Sequence, residues 1–319
     1  MNIESNTLLT ALAAAVLLPF VVHDQYLLHL AIMALFYAVL ASSLNLVVGY
    51  VGEFSLGHTA FLGVGAYTAA LLSAKLGFPM WITIPVAGAT SAAFGYLIGA
   101  ITLRLQGPYF VIVTLSFAEV LRLVANNWIG LTNGPMGLAG ISQDGIADKR
   151  AFFYIVLGIA VLSFYLCYRF VYSNSGRGAV AVRENRYVAQ SIGVNPFESA
   201  MQAFVLGAFL AGLAGGFYAH YISFVGPEVF QFAFMASMII MVLIGGKGTL
   251  VGPLIGAVIV TLLEEYLREV QQLRLTLFGL IVMAIVLFLP NGLMSLIPRR
   301  NESRNVDLVG AAPVKEGSL

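Results

Sequence analysis

The sequence predicts an all-α, polytopic membrane protein with about ten transmembrane helices and both termini in the cytoplasm, on three observations. Of 319 residues, 60% are hydrophobic and only 10% are charged, against about 45–50% and about 25% in soluble domains. The runs from Leu76 to Leu103 and from Leu275 to Ile297 carry no charge, and each exceeds the ~20 residues that a helix needs to cross a ~30 Å hydrocarbon core. Stretches such as "FLGVGAYTAALLSA" do not alternate in polarity, which excludes the ~10-residue strands of a membrane barrel.

Taken in order, hydropathy and turn residues place spans at 8–22, 26–50, 54–74, 79–103, 108–125, 151–172, 199–224, 229–246, 250–267 and 275–297. The first is kept as a membrane helix, because the residues ahead of it hold Glu4 and neither Lys nor Arg, unlike a secretion signal. The glycine-rich turn "VVGYVGEFSLGH" separates the second and third spans, and "IGGKGTLVGPLIG" separates the eighth and ninth. Their similar composition suggests an internal repeat. Gly248, Gly252 and Gly256 stand four apart, as on the close-packing face of a membrane helix. The longest outer loop, about Asn126 to Lys149, is rich in Gly, Asn and Pro. Residues 1–298 therefore read as one transmembrane domain, with a charged cytoplasmic segment at about 177–196. Residues 299–319 read as a polar cytoplasmic tail expected to be disordered.

Charge fixes the orientation. With the C-terminal tail inside, the cytoplasmic side holds Arg104, Arg169, Arg177, Arg183, Arg186, Lys247, Arg299, Arg300, Arg304 and Lys315, ten of the sixteen basic residues. That is the bias expected of the inner side. A net charge of +1 argues against a nucleic-acid partner.

Little in the chain supports covalent chemistry. "GGKGT" joins Gly to Lys and Thr, but Gly248 follows Lys247 and Met241 stands where a phosphate loop needs its first Gly. Any ATP-driven work therefore belongs to another polypeptide, and no cofactor is expected on this one. His23, His29, His58 and His220 form no i, i+3 or i+4 pair, and the lone Cys167 lies within a span, so no metal site is expected. Paired carboxylate and nucleophile signatures are lacking, and the chain reads as no enzyme. Glu119 and Arg122 are ionisable groups in or near the fifth span. Such residues border a polar pathway or neutralise one another.

The segment "RGAVAVRENRYVAQSIGVNP", Arg177 to Pro196, is the one internal cytoplasmic stretch long enough for its own helix. Val182, Val188, Ala189 and Ile192 recur every three or four residues, with Arg183, Glu184, Arg186 and Gln190 among them. The pattern predicts one short amphipathic helix, stopped at Gly193, that lies on lipid headgroups or in a groove of a cytoplasmic partner.

This segment resembles the coupling helix of ABC importer permeases, with Ala189 and Gly193 matching the last Ala and the Gly of EAA-xxx-G, although Tyr187 and Val188 replace the Glu and first Ala. "LNLVVGYVGEFSLGHTAFLGVGAYTAALL", "GPYFVIVTLSFAEVLR", "TNGPMGL", "AFVLGAFLAGLAGGFYAHY" and "GGKGTLVGPLIGA", in that order, resemble the LivM-type permease subunit of branched-chain amino acid ABC transporters over about Leu44 to Ile297. The resemblance implies a multi-pass permease of the bacterial inner membrane. Its partners would be a homologous LivH-type permease, two cytoplasmic ATPases that bind the ATP, and a soluble binding protein that delivers leucine, isoleucine or valine. Arg183, Glu184, Arg186, Ala189 and Gly193 would couple to the ATPases, and His58, Thr59, Glu119 and Asn133 are the candidate pathway residues. Permeases of this type for urea or short amides are the alternative, and an ion-coupled carrier working alone is a further one.

Overall fold

The computed structural model describes residues 15–20, 24–146, 148–267, 276, 279–280, 283, 287 and 292–296. Helix α1 (Gln25–Asn45) begins at Asp24, whose carboxylate accepts from the Tyr26 N–H at 2.8 Å. It runs straight into a π-helical turn, Leu46–Val51, that closes on Gly52 in the left-handed conformation. Next come α2 (His58–Leu76), α3 (Met80–Thr102), α4 (Pro108–Asn127) and α5 (Lys149–Val171). Two short helices, α6 (Asn174–Glu184) and α7 (Arg186–Ser191), then lead to the 27-residue α8 (Pro196–Ile222). The described core closes with α9 (Phe232–Gly245) and α10 (Gly252–Tyr266).

The helix ends collect on two opposite faces. On one, Arg183 of α6 reaches the carbonyl of Gly49, and Asn45 reaches the loop between α9 and α10. On the other, the two-residue strand β1 (Leu138–Ala139) pairs antiparallel with β2 (Phe224–Val225), which joins the segment after α4 to the segment after α8. There Lys75 donates to the Gly130 and Leu131 carbonyls at 3.2 and 2.9 Å, and Asp144 accepts from the Met80 N–H, the first of α3, at 2.5 Å. An anion at that helix start meets its unpaired N–H groups. This alternation of faces is the one the sequence predicts for its second to ninth spans.

Among the described residues, six helices are long and apolar enough to cross a membrane: α1 with its π-turn, α2, α3, α4, α5 and α8. The protein is an all-α, multi-pass membrane protein. The eighth and ninth predicted spans, 229–246 and 250–267, are shorter than expected, at 14 and 15 helical residues, or about 21 and 22 Å at 1.5 Å per residue. Pro227 starts a separate 3₁₀ turn ahead of α9, and positive φ at Gly246 (115°) and Gly248 (74°) holds the connection to α10 open. Gly248 thus lies outside the helix on which its four-residue spacing placed it; Gly252 and Gly256 lie in α10, packed against the backbone of Gly245 and Met241 of α9. Residues 15–20 of the first predicted span are helical. The rest of that span, most of the tenth and the tail at 299–319 lie outside the described residues.

The interior is built around α8, which packs most extensively on α3 and α2 and then on α1. The α10 helix packs on α1 and α9, and α5 covers α1. Lipid supplies no hydrophobic drive to helix association, so close backbone contact has to. Gly65 of α2 abuts the backbone of Gly212 of α8, and Gly212 abuts Ser91 and the Ala87 carbonyl of α3. Phe36, Phe61, Phe153, Phe204 and Phe217 are among the largest side chains fully buried in this interior.

Overpacking a core costs about 1–3 kcal/mol, so Gly212→Val is expected to lower the thermal unfolding midpoint of the detergent-purified chain. Gly158→Ala on α5, where a Cβ meets nothing within 4 Å, is expected to leave it unchanged or raise it.

Candidate coupling surface and transmembrane face

The segment between α5 and α8 is ordered by a chain of caps. Ser173 accepts from the Gly176 N–H at 3.2 Å and starts α6. Asn185, extended at φ −160° and ψ 111°, ends α6 and starts α7, its side-chain oxygen accepting from the Tyr187 and Val188 N–H groups at 3.0 and 3.1 Å. At the far end Gly193 (φ 84°) donates to the Gln190 carbonyl and Val194 to the Ala189 carbonyl, both at 3.0 Å. Those two bonds form a Schellman motif, which needs a left-handed residue where Gly193 stands. Asn195 then caps α8, accepting from Phe197 N–H at 3.1 Å, with Pro196 as its first helical residue.

The single amphipathic helix expected over this segment is therefore two helices. The apolar period continues through Asn185, but that side chain takes the backbone N–H groups for itself, the usual competition of Asn with a helix interior. The break also divides the expected apolar face. Ala189 is 1% exposed and turned toward the body of the protein, while Tyr187, Val188 and Ile192 are 79, 57 and 71% exposed. Three apolar side chains, two on this six-residue surface helix and one at its C-cap, are left without cover in the single chain.

Charged groups cluster at the junction of α6 and α7. Arg183 donates from Nη1 to the Gly49 carbonyl at 2.7 Å, and its Nε and Nη2 meet Oε1 of Glu184 at 3.1 and 2.7 Å. Arg186 lies near Glu53 in the turn after the π-helix. Burial pushes the Glu53 carboxyl up from the ordinary carboxylate range, against the Gly107 backbone and Arg186, which both pull it down.

The sequence profile of the family described as branched-chain amino acid transport system / permease component matches residues 26–290. The chain belongs to this family. The permease is 32% identical over 315 residues to the high-affinity branched-chain amino acid transport system permease protein LivM of Salmonella typhimurium, covering 90% of this chain and 74% of that one. The Escherichia coli LivM is 31% identical over the same shares. The E. coli permease protein LivH is 25% identical over 286 residues, 81% of this chain and 91% of that one. No solved structure matches.

The four predicted pathway residues of the permease do not come together. His58 and Thr59 begin α2 in the interior, where His58 hydrogen-bonds Ser43 of α1 at 2.8 Å and lies against Phe61 and Gly207. Asn133 is on the opposite face of the bundle from α7, in a left-handed turn (φ 62°), with its amide donating to the Gly137 carbonyl at 2.9 Å. Glu119 is on the uncovered side of α4 and pairs with Arg122 through two bonds, Nε to Oε2 at 2.9 Å and Nη2 to Oε1 at 2.5 Å. The pair's side chains are still 51 and 31% exposed. The sequence marks Gly49, Gly52 and Gly248 as parts of glycine-rich turns and passes over Asn45, which holds Gly248 and Thr249; the signal available was a lone Asn in an apolar run leading into a glycine-rich turn.

Losing an Asn cap costs about 1 kcal/mol. In Asn185→Ala the amides of Tyr187 and Val188 are expected to exchange with deuterium about fivefold faster, while those of α8 are unchanged.

Proposed function

We propose that the permease is one of two membrane-spanning subunits of an ATP-driven importer in the bacterial inner membrane, translocating leucine, isoleucine and valine. A LivH-type permease forms the other half, a soluble binding protein delivers substrate on the outer side, and two cytoplasmic ATPases supply the work. Both termini are cytoplasmic and ten helices span the bilayer. The face that carries α6, α7 and both glycine-rich turns is cytoplasmic, since Arg104, Arg169, Arg177, Arg183, Arg186 and Lys247 all lie toward it.

The observation that carries this reading is α7, a capped helix seated on the body through Ala189 that leaves Tyr187, Val188 and its C-cap Ile192 uncovered. A chain without a phosphate loop needs an outside motor, and this patch is suited to a groove on one. Arg183, Glu184, Arg186, Ala189 and Gly193 belong to the coupling element. Arg186 and Glu184 offer charge around the patch, while Ala189 and Gly193 keep its helix seated and stopped. ATP-driven closure of the ATPases moves this element as a lever and switches the two-subunit bundle between inward-facing and outward-facing states.

Glu119 is assigned to the pathway. It stands eleven residues into α4, about 17 Å along the helix axis and so near mid-bilayer, where charged groups do not face lipid. The exposed side of α4 then faces the second permease across the polar path. Asn133 stands at its outer mouth, and the buried His58 and Thr59 fix the start of α2, which backs the wall.

Vesicles that hold this chain with its permease, ATPase and binding-protein partners are expected to take up radiolabelled leucine only with ATP and binding protein present. Uptake by this chain alone on an ion gradient would overturn the mechanism, and uptake of urea or amides in place of leucine would overturn the substrate. The Val188→Ser/Ile192→Ser variant is expected to fold and insert normally but to lose ATPase copurification; retention of the ATPases at the wild-type level contradicts α7 as the dock. Glu119→Gln, which leaves the Arg122 charge unpaired, is expected to reduce uptake about tenfold or more with assembly intact, read by initial uptake rate against copurified subunits.

A further inference from the structure

Three distant parts of the chain meet at Arg183: Gly49 and Gly52 of the turn after α1, Gly248 of the α9–α10 loop, and α6 itself. The helix that begins as α1 ends at Val51, so the Gly49 carbonyl is among its last four, which have no partner within the helix. Arg183 Nη1 donates to it at 2.7 Å, placing a cation at a helix C-terminus. One turn earlier Asn45 spends both ends of its amide on the α9–α10 loop, Nδ2 donating to the Thr249 carbonyl at 2.8 Å and Oδ1 accepting from the Gly248 N–H at 2.9 Å.

Two glycines clear the way for this arginine, and a third lets the α9–α10 loop approach beside it. A Cβ on Gly52 (φ 84°) would meet Arg183 first, its Cγ at 2.6, Cβ at 3.3 and Cδ at 3.5 Å. One on Gly248 would meet Arg183 Nη1 at 2.7 Å and the Gly49 carbonyl at 3.0 Å, and one on Gly49 would collide with the Asn45 amide and the Gly248 nitrogen. The two glycine-rich turns flagged in the sequence are thus the two walls of a single slot.

We propose that Arg183, seated in the slot of Gly49, Gly52 and Gly248 and backed by Asn45, is the positioning residue that transmits movement of α6 and α7 to the π-turn of α1 and to the α9–α10 loop. The inference rests on the coupling role proposed above and names its route. Arg183 is two residues from the break at Asn185, so displacement of α7 reaches it first. Walls this close leave the guanidinium two choices: to carry Gly49 and Gly248 with it, or to leave the slot. Packed contacts of that kind switch between discrete states rather than deform smoothly, and a π-turn is a frequent site of such adjustment.

The test uses the assembled complex in proteoliposomes with binding protein, measuring leucine uptake and ATP hydrolysis together. ATP-dependent uptake by the wild type tests the parent reading; its absence overturns the proposed function and this route with it. With wild-type uptake established, Arg183→Ala is expected to keep the ATPases bound but to cut uptake about tenfold with a much smaller loss of hydrolysis, so that more ATP is spent per leucine. Arg183→Lys, which restores the cation, is expected to recover part of the uptake. Gly52→Ala is expected to mimic Arg183→Ala, and to cost less in the Arg183→Ala background, where the Cγ and Cδ contacts are gone and only the Cβ contact at 3.3 Å and the strain of its positive φ remain. Wild-type uptake in Arg183→Ala overturns the proposal. So does a proportional fall of uptake and hydrolysis in both Arg183 variants, or a Gly52→Ala loss that adds in full to that of Arg183→Ala.

Discussion

Where Gly65 of α2 meets Gly212 of α8, the backbones of two membrane helices touch, and the rest of the bundle depends on contacts of this kind. A bilayer offers apolar side chains the same surroundings as a protein core does, so burial alone does not draw helices together. What does so is close approach, which lengthens the list of atom pairs at van der Waals distance. The glycines of α8 let α2 and α3 settle against it, α1 closes the opposite side, and α5 and α10 are then held through α1.

The two faces of this bundle are secured differently. On the face of the β1–β2 ladder, many local ties hold the helix ends. His220 is hydrogen-bonded to Thr83 and to the Ser142 carbonyl, both at 2.6 Å, and Ser142 N–H reaches Ser73 at 3.1 Å. These ties link the ends of α2, α3 and α8 with the long loop after α4. On the other face, the contacts between α1, α6 and the α9–α10 loop run through the side chains of Arg183 and Asn45. One rim is laced from several sides, and the other rests on a few polar side chains in glycine-lined surroundings, an arrangement suited to a face that moves.

The single chain is also visibly unfinished. Its α7 and the C-cap after it present Tyr187, Val188 and Ile192 to water, and α4 carries the Glu119–Arg122 pair on an uncovered membrane face. Neither suits the environment an isolated subunit would give it: water for the first and lipid for the second. In the proposed function both are covered by partners, a motor at the cytoplasmic face and a second permease beside α4. Transport in this reading is work done between subunits, with the permease supplying the wall of the path and the lever that moves it.

The sequence by itself determined the membrane class, the order and faces of the second to ninth helical segments, and the stop at Gly193. Each of these depends on properties of neighbouring residues: apolar length, turn chemistry and the left-handed preference of glycine. The break at Asn185 was within reach of the sequence but outweighed there, because the apolar period of Val182, Val188 and Ile192 runs through it while a single capping side chain ends the helix. The shortness of α9 and α10 came from the 3₁₀ turn at Pro227 and the open loop at Gly246 to Gly248, which hydropathy averaged into the spans. The slot around Arg183 belonged to tertiary structure alone. Its parts stand near positions 45–52, 183 and 246–249, and nothing local tells a glycine that ends a helix from one that makes room for a side chain more than a hundred residues away. That distinction exists only once the bundle has brought the third element in.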